Sequence, residues 1–173
     1  MSELEQILAD IESSATTQAV RRSWNPGYQG EIDIRIAADG TWFHQGRRFK
    51  RDSMVKLFAG ILRREDDAYF LVTPAEKLRI QVEDAPFVAN LVECIEDKGQ
   101  PAIVFTTNIG EKIVVDHEHP VRVDIDATTK EPRPYVRLRE GLDALISRSA
   151  FYDLLNFAQE TERDGVGYLS ITS

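Results

Sequence analysis

Seven of the chain's 21 lysines and arginines lie between His44 and Arg64 (Arg47, Arg48, Lys50, Arg51, Lys56, Arg63 and Arg64), with Asp52 the lone acid among them. Guanidinium groups bind phosphate or carboxylate bidentately, and a helix N-terminus placed next to them adds a favourable dipole. The run Gly46-Arg47-Arg48-Phe49-Lys50-Arg51 is therefore a candidate anion site, with Arg51, just before the next helix, its best single residue. The competing reading is a solvated turn whose charges serve solubility. Arg63-Arg64 reads as the cationic end of that helix, or as part of an ion network with Glu65-Asp66-Asp67.

Trp42 and Phe43 are neighbours on a predicted strand, so they point to opposite faces and only one belongs to the core. The other is free to stack, and Trp42 is the candidate ring platform. Asp84-Ala85-Pro86-Phe87 reads as a turn with an anchoring aromatic, or as the seam between two domains. His117 and His119 would share a face in an extended segment, the arrangement of a zinc-binding pair. A third well-spaced ligand is missing and Pro120 breaks the strand, so the reading is a polar loop with a capping histidine, no metal and no cofactor. Phosphate-binding glycine loops, a nucleophile elbow, H-E-x-x-H and C-x-x-C are all missing, which disfavours the mechanisms that need them. Paired carboxylates carry no such signature, so a hydrolase of unknown substrate stays as the third reading.

The elements that must position these residues follow from periodicity. Leu4, Ile7, Leu8 and Ile11 predict a short amphipathic helix, followed by a polar linker over Ser13 to Gln18. Alternation at Ile32, Ile34 and Ile36 predicts a half-buried strand, Asp39-Gly40 a hairpin turn, and Thr41 to Phe43 the return. Asp52 or Ser53 can cap a helix whose stripe runs from Met54 to Leu62 and which Arg63-Arg64 end. Tyr69 to Thr73, Leu78 to Val82, Val88 to Cys94, Ile103 to Thr107, Lys112 to Val115 and Val121 to Ile125 predict further strands. Thr128 to Pro134 reads as an exposed loop. Then Tyr135 to Leu138, Glu140-Gly141, Leu142 to Ile146, a helix with Phe151, Leu154 and Leu155, and a closing strand at Gly167 to Thr172 repeat the first unit. Ile34 pairs with Val136, Leu57 with Leu154 and Tyr69 with Tyr168, at an offset of about a hundred residues. The expected fold is α+β with mainly antiparallel sheets, built from a duplicated strand–turn–strand–helix–strand unit.

A formal net charge of -8 argues against nonspecific duplex nucleic-acid binding. The single cysteine, Cys94, fits a reducing compartment and predicts a core thiol. Lack of a signal-like or membrane-spanning apolar run predicts a cytoplasmic protein without membrane partners.

As a set, Gly30 to Ile36, Asp39 to His44, Leu62-Arg63-Arg64-Glu65, Val72-Thr73-Pro74, Val82 to Phe87, Thr107 to Gly110, His119-Pro120 and Phe151-Tyr152-Asp153 resemble the bacterial DUF1285 family of uncharacterised proteins. The resemblance implies two domains after an N-terminal arm (1–19): 20–84 and 85–173, the second pleckstrin-homology-like. It also implies a candidate groove between them, a nucleotide-like ligand and a role in signalling. The candidate ligand-binding set is Trp42, Arg51, Arg63, Arg64, Asp84, Phe87, Tyr135 and Arg137. The leading expectation is a non-enzymatic sensor of a small anionic ligand. The alternative is a module that binds other proteins through an edge strand or apolar patch.

Overall fold

Residues 3–13 and 18–159 are described by a computed structural model of the chain, without the side chains of 12, 13, 19, 158 and 159. The chain divides into two compact units, Met1–Asp84 and Ala85–Ser173. The expected closing strand at Gly167 to Thr172, and its pairing with Tyr69 to Thr73, lie outside the described residues.

In unit 1, helix α1 (Glu3–Ser13) buries Ile7 and Ile11 and packs on helix α3 (Asp52–Gly60), with the short α2 (Gln18–Ser23) between them in sequence. The alternation in β1 (Tyr28–Ile36) sends Ile32, Ile34 and Ile36 into the core while Glu31 and Asp33 face out. β2 (Trp42–His44) returns antiparallel beside it, with Ile36 opposite Trp42 and Ile34 opposite His44. β3 (Arg47–Arg48), β4 (Leu62–Glu65), β5 (Ala68–Val72) and β6 (Glu76–Val82) complete a sheet of order β3-β2-β1-β6-β5-β4.

Helix α3 stops earlier than its apolar stripe suggests. The Gly60 carbonyl accepts from Gln18 Nε2 at 2.8 Å and Arg21 Nη1 at 3.3 Å, so partners in α2 satisfy the helix end. A Cβ at Gly60 would lie 2.6 Å from Arg21 Nη1, so a side chain there would push the Arg21 guanidinium aside. Leu62 then pairs with Leu71, and Arg63-Arg64 belong to β4, not to a helix end. Neither Asp52 nor Ser53 is the N-cap. Arg51 takes that position in extended backbone, with no side-chain cap bond.

Unit 2 comprises β7 (Phe87–Asp97), β8 (Gln100–Thr107), β9 (Lys112–Val114), β10 (Val121–Ile125), β11 (Pro132–Arg139), β12 (Leu142–Ile146) and α4 (Arg148–Gln159). Lys98 and Gly99, both at positive φ, turn β7 into β8. The Ser147 hydroxyl caps α4 by accepting from the Ala150 amide at 3.3 Å, and α4 sets Ala150 and Leu154 into the core against β7. Part of the expected loop is strand: Pro132 and Pro134 pair with Ile125 and Val123 where β11 has no partner in β12, so their missing amides cost no ladder bond. Cys94 is exposed on β7, so the expected core thiol is corrected. It falls on a stretch of β7 whose neighbouring residues 93–97 are all exposed.

Both sheets are mixed, each antiparallel apart from one parallel pair: β1 with β6, and β12 with β7. The order β10-β11-β12-β7-β8-β9, read backwards, is the order of the first sheet displaced by six strands. Each is two three-stranded meanders joined through their first and last strands. The residue pairing expected from sequence is therefore corrected. Ile34 is on β1, whose positional counterpart is β7, whereas Val136 is on β11, the counterpart of β5. Strand–turn–strand–helix patterns look alike locally, yet α3 follows the third strand of its unit and α4 the sixth.

Candidate functional site

The basic run singled out from the sequence forms a hairpin in unit 1 and lines a hollow, and of the candidate ligand-binding residues Arg51 lies there. Gln45 and Gly46, at φ 50° and 78°, form a two-residue turn that places His44 opposite Arg47 and Phe43 opposite Arg48. The chain then passes through Phe49, Lys50 and Arg51 into α3, whose Met54 and Val55 amides donate to the Arg51 carbonyl at 3.2 and 3.3 Å. His44, Arg47, Arg48, Phe49, Lys50 and Arg51 line a concavity of about 610 Å³. Arg47, Lys50 and Arg51 are exposed and form no ion pair among the described residues. The charge of Arg48 reaches Asp39, whose carboxyl is held below the usual range first by hydrogen bonds from Thr41 and in small part by Arg48. Four cations and the first turn of a helix of nine residues thus face one hollow.

The remaining candidates go elsewhere. Trp42 is 2% exposed and part of the core, which corrects its reading as a stacking platform. Phe43 is the half-buried partner, and the Arg35 guanidinium covers its ring at 4.4 Å. Arg63 donates to the carbonyls of Arg21 at 2.9 Å, Trp24 at 3.0 Å and Arg22 at 3.2 Å, so it caps the end of α2. Arg64 donates to the Asp66 carbonyl at 3.1 Å and lies over the Tyr69 ring at 5.6 Å, bracing the β4–β5 turn. Asp84 is the last residue of unit 1.

In unit 2, Phe87 is fully buried core, which corrects its reading as a ligand contact. Tyr135 is 7% exposed, with its hydroxyl accepting from Arg133 Nε at 3.2 Å and Arg122 above its ring at 4.6 Å. Arg137 Nε and Arg122 Nη1 each donate to the buried Asp143 carboxylate at 2.6 Å. Burial alone would raise the Asp143 carboxyl, but the two hydrogen bonds and the two guanidinium charges outweigh it and hold it below the usual range. Sequence reading missed this bridge because Arg122 and Asp143 are 21 residues apart and come together only through the β10–β11–β12 pairing.

His119 Nδ1 lies 2.8 Å from Asp116 Oδ1, which also accepts from the Glu118 and His119 amides. Slight burial opposes these bonds without cancelling them, and they hold the Asp116 carboxyl low. Among the described residues no three histidine, cysteine or acidic side chains group as metal ligands.

Two family models match successive parts of the chain. "Domain of unknown function (DUF1285), N-terminal domain" matches residues 20–85, and "Protein of unknown function (DUF1285), C-terminal domain" matches 86–173. The chain belongs to the DUF1285 family. A DUF1285 family protein from Silicibacter pomeroyi DSS-3 is 44% identical over 92% of this chain and 86% of that one, with a TM-score of 0.78. A DUF1285 family protein from Shewanella baltica OS155 is 31% identical over 71% of this chain and 90% of that one, with a TM-score of 0.56. Comparison with curated proteins finds no match. Among the described residues no helix is long and apolar enough to cross a membrane.

Proposed function

We propose that this DUF1285 protein is a non-enzymatic sensor or regulator that binds a small anion, of the phosphate or carboxylate type, in the hollow of the basic hairpin. The observation that carries this reading is the set Arg47, Lys50 and Arg51, exposed around one concavity without ion pairs among the described residues. Like charges gathered at one point repel one another, and an anion relieves that repulsion while accepting charge-assisted hydrogen bonds. The shared strand order of the sheets supports an origin by duplication. Helix α4, after the six-stranded sheet of unit 2, supports a pleckstrin-homology-like shape for that part. Calorimetry tests the reading directly. Phosphate esters should bind the wild type at sub-millimolar to millimolar concentration, and Arg51→Ala should weaken them about tenfold or more while leaving the melting temperature nearly unchanged. Equal affinities would remove Arg51 from the site.

A second reading, a protein-interaction module, draws on β7. Among the described residues β12 pairs with it only over Phe87–Ala89, and beyond that point Leu91 and Ile95 are 60% and 42% exposed. An open strand edge with exposed apolar side chains is a surface that another strand can extend.

A further inference from the structure

Trp42 Nε1 and His44 Nε2 are both buried and unpartnered among the described residues. Buried polar atoms are almost always satisfied, so two orphans side by side call for a physical account. The two residues share one face of β2, being two apart and opposite Ile36 and Ile34. Both rings pack on Phe49, at centroid distances of 6.0 Å for Trp42 and 6.4 Å for His44. Phe49 and His44 line the hollow, while Trp42 does not reach it. The Phe49 ring therefore borders the cationic hollow on one hand and packs on both rings with unpartnered nitrogens on the other. Phe49 is half-buried and followed directly by the exposed Lys50 and Arg51; its amide donates to the Trp42 carbonyl at 3.0 Å, and its ring also meets Phe58 at 5.9 Å.

Resting on the anion reading above, we propose that the hollow continues into a polar subsite beneath Phe49. Its ligand is then a phosphate ester whose uncharged part carries hydrogen-bond acceptors such as hydroxyl oxygens. The arginines and Lys50 take the charged group at the rim. The Phe49 ring turns aside, and Trp42 Nε1–H and His44 Nε2 meet the neutral oxygens. This gives Trp42 a binding role through its buried indole edge, not through a stacking face. It also makes the site selective, because a donor that finds no acceptor inside a closed site disfavours the ligand that lacks one.

A matched pair of probes tests this: glycerol 3-phosphate and n-propyl phosphate, of the same charge and similar size, with and without hydroxyls. For the wild type, glycerol 3-phosphate should bind about tenfold more tightly by calorimetry. His44→Phe and Trp42→Phe should each reduce that preference, whereas Arg51→Ala should weaken both esters alike. Because the chain has two tryptophans, its indole N–H spectrum holds two side-chain signals, and Trp42→Phe assigns them. Glycerol 3-phosphate should move the Trp42 signal and leave that of Trp24 in place. Should Trp42→Phe fail to fold, Trp24→Phe assigns the two signals and His44→Phe still decides. Equal binding of the two esters with a still Trp42 signal would overturn the subsite, leaving the nitrogens to an ordered water and the anion reading intact. Failure of both esters to bind at millimolar concentration would overturn the anion reading and the subsite together.

Discussion

Replacing Asp143 with asparagine keeps the shape of the side chain and removes its charge. The side chain is 8% exposed and accepts two hydrogen bonds of 2.6 Å, from Arg122 and Arg137. Each charge-assisted bond contributes about 1.5 to 3 kcal/mol. Two would give about 3 to 6 kcal/mol if nothing replaced them. The guanidinium partners are 47% and 36% exposed, so water recovers a large part of their share. The expected net loss is about 2 to 3 kcal/mol, which at a typical urea dependence of about 1 to 3 kcal/mol/M lowers the unfolding midpoint by roughly 0.7 to 3 M. Far-UV circular dichroism follows the whole chain, while tryptophan fluorescence follows unit 1, because both tryptophans, Trp24 and Trp42, belong to it. The loss should therefore be seen by dichroism. Acid adds a second readout. The folded-state carboxyl titrates below its ordinary value of 3.8, so its contribution is complete above that value and disappears as pH falls through the folded one. The gap between wild type and Asp143→Asn should be constant at neutral pH and close below about pH 4. An unchanged midpoint at pH 7, or a gap indifferent to acid, would refute the bridge as a source of stability.

Arg63→Ala should cost about 2 kcal/mol, because three carbonyls around the end of α2 lose the Arg63 guanidinium, and the loss should appear in tryptophan fluorescence during urea unfolding. Gly60→Ala should destabilise unit 1 by displacing Arg21, and a variant as stable as the wild type would show that Arg21 yields without cost. Cys94 should react with a thiol reagent in the native protein at a rate close to that of a free thiol, whereas protection until unfolding would restore the core reading. Added zinc or EDTA should leave the melting temperature unchanged, since His119 is engaged with Asp116, and a reproducible stoichiometric shift would make His117 and His119 ligands.

What the sequence by itself determined about this protein is whatever depends on neighbours along the chain. Ile32, Ile34 and Ile36 declare a half-buried strand because the strand period is two, and Asp39-Gly40 declares its turn because glycine takes the positive φ at 88°. The cationic run from Arg47 to Arg51 is equally legible, since a two-residue turn and a helix start hold it together locally. Tertiary structure decided what depends on distant partners. The end of α3 is set by Gln18 and Arg21, 42 and 39 residues away from Gly60, and the same contact frees Arg63 to cap α2. Between Trp42 and Phe43, strand alternation says that one is buried, and only the opposition of Trp42 to Ile36 says which. The correspondence of the two sheets was beyond local reading for the same reason. Any hairpin followed by a helix resembles another in sequence, and it is the parallel pairing of first and last strands, closed over a whole unit, that sets which strand matches which.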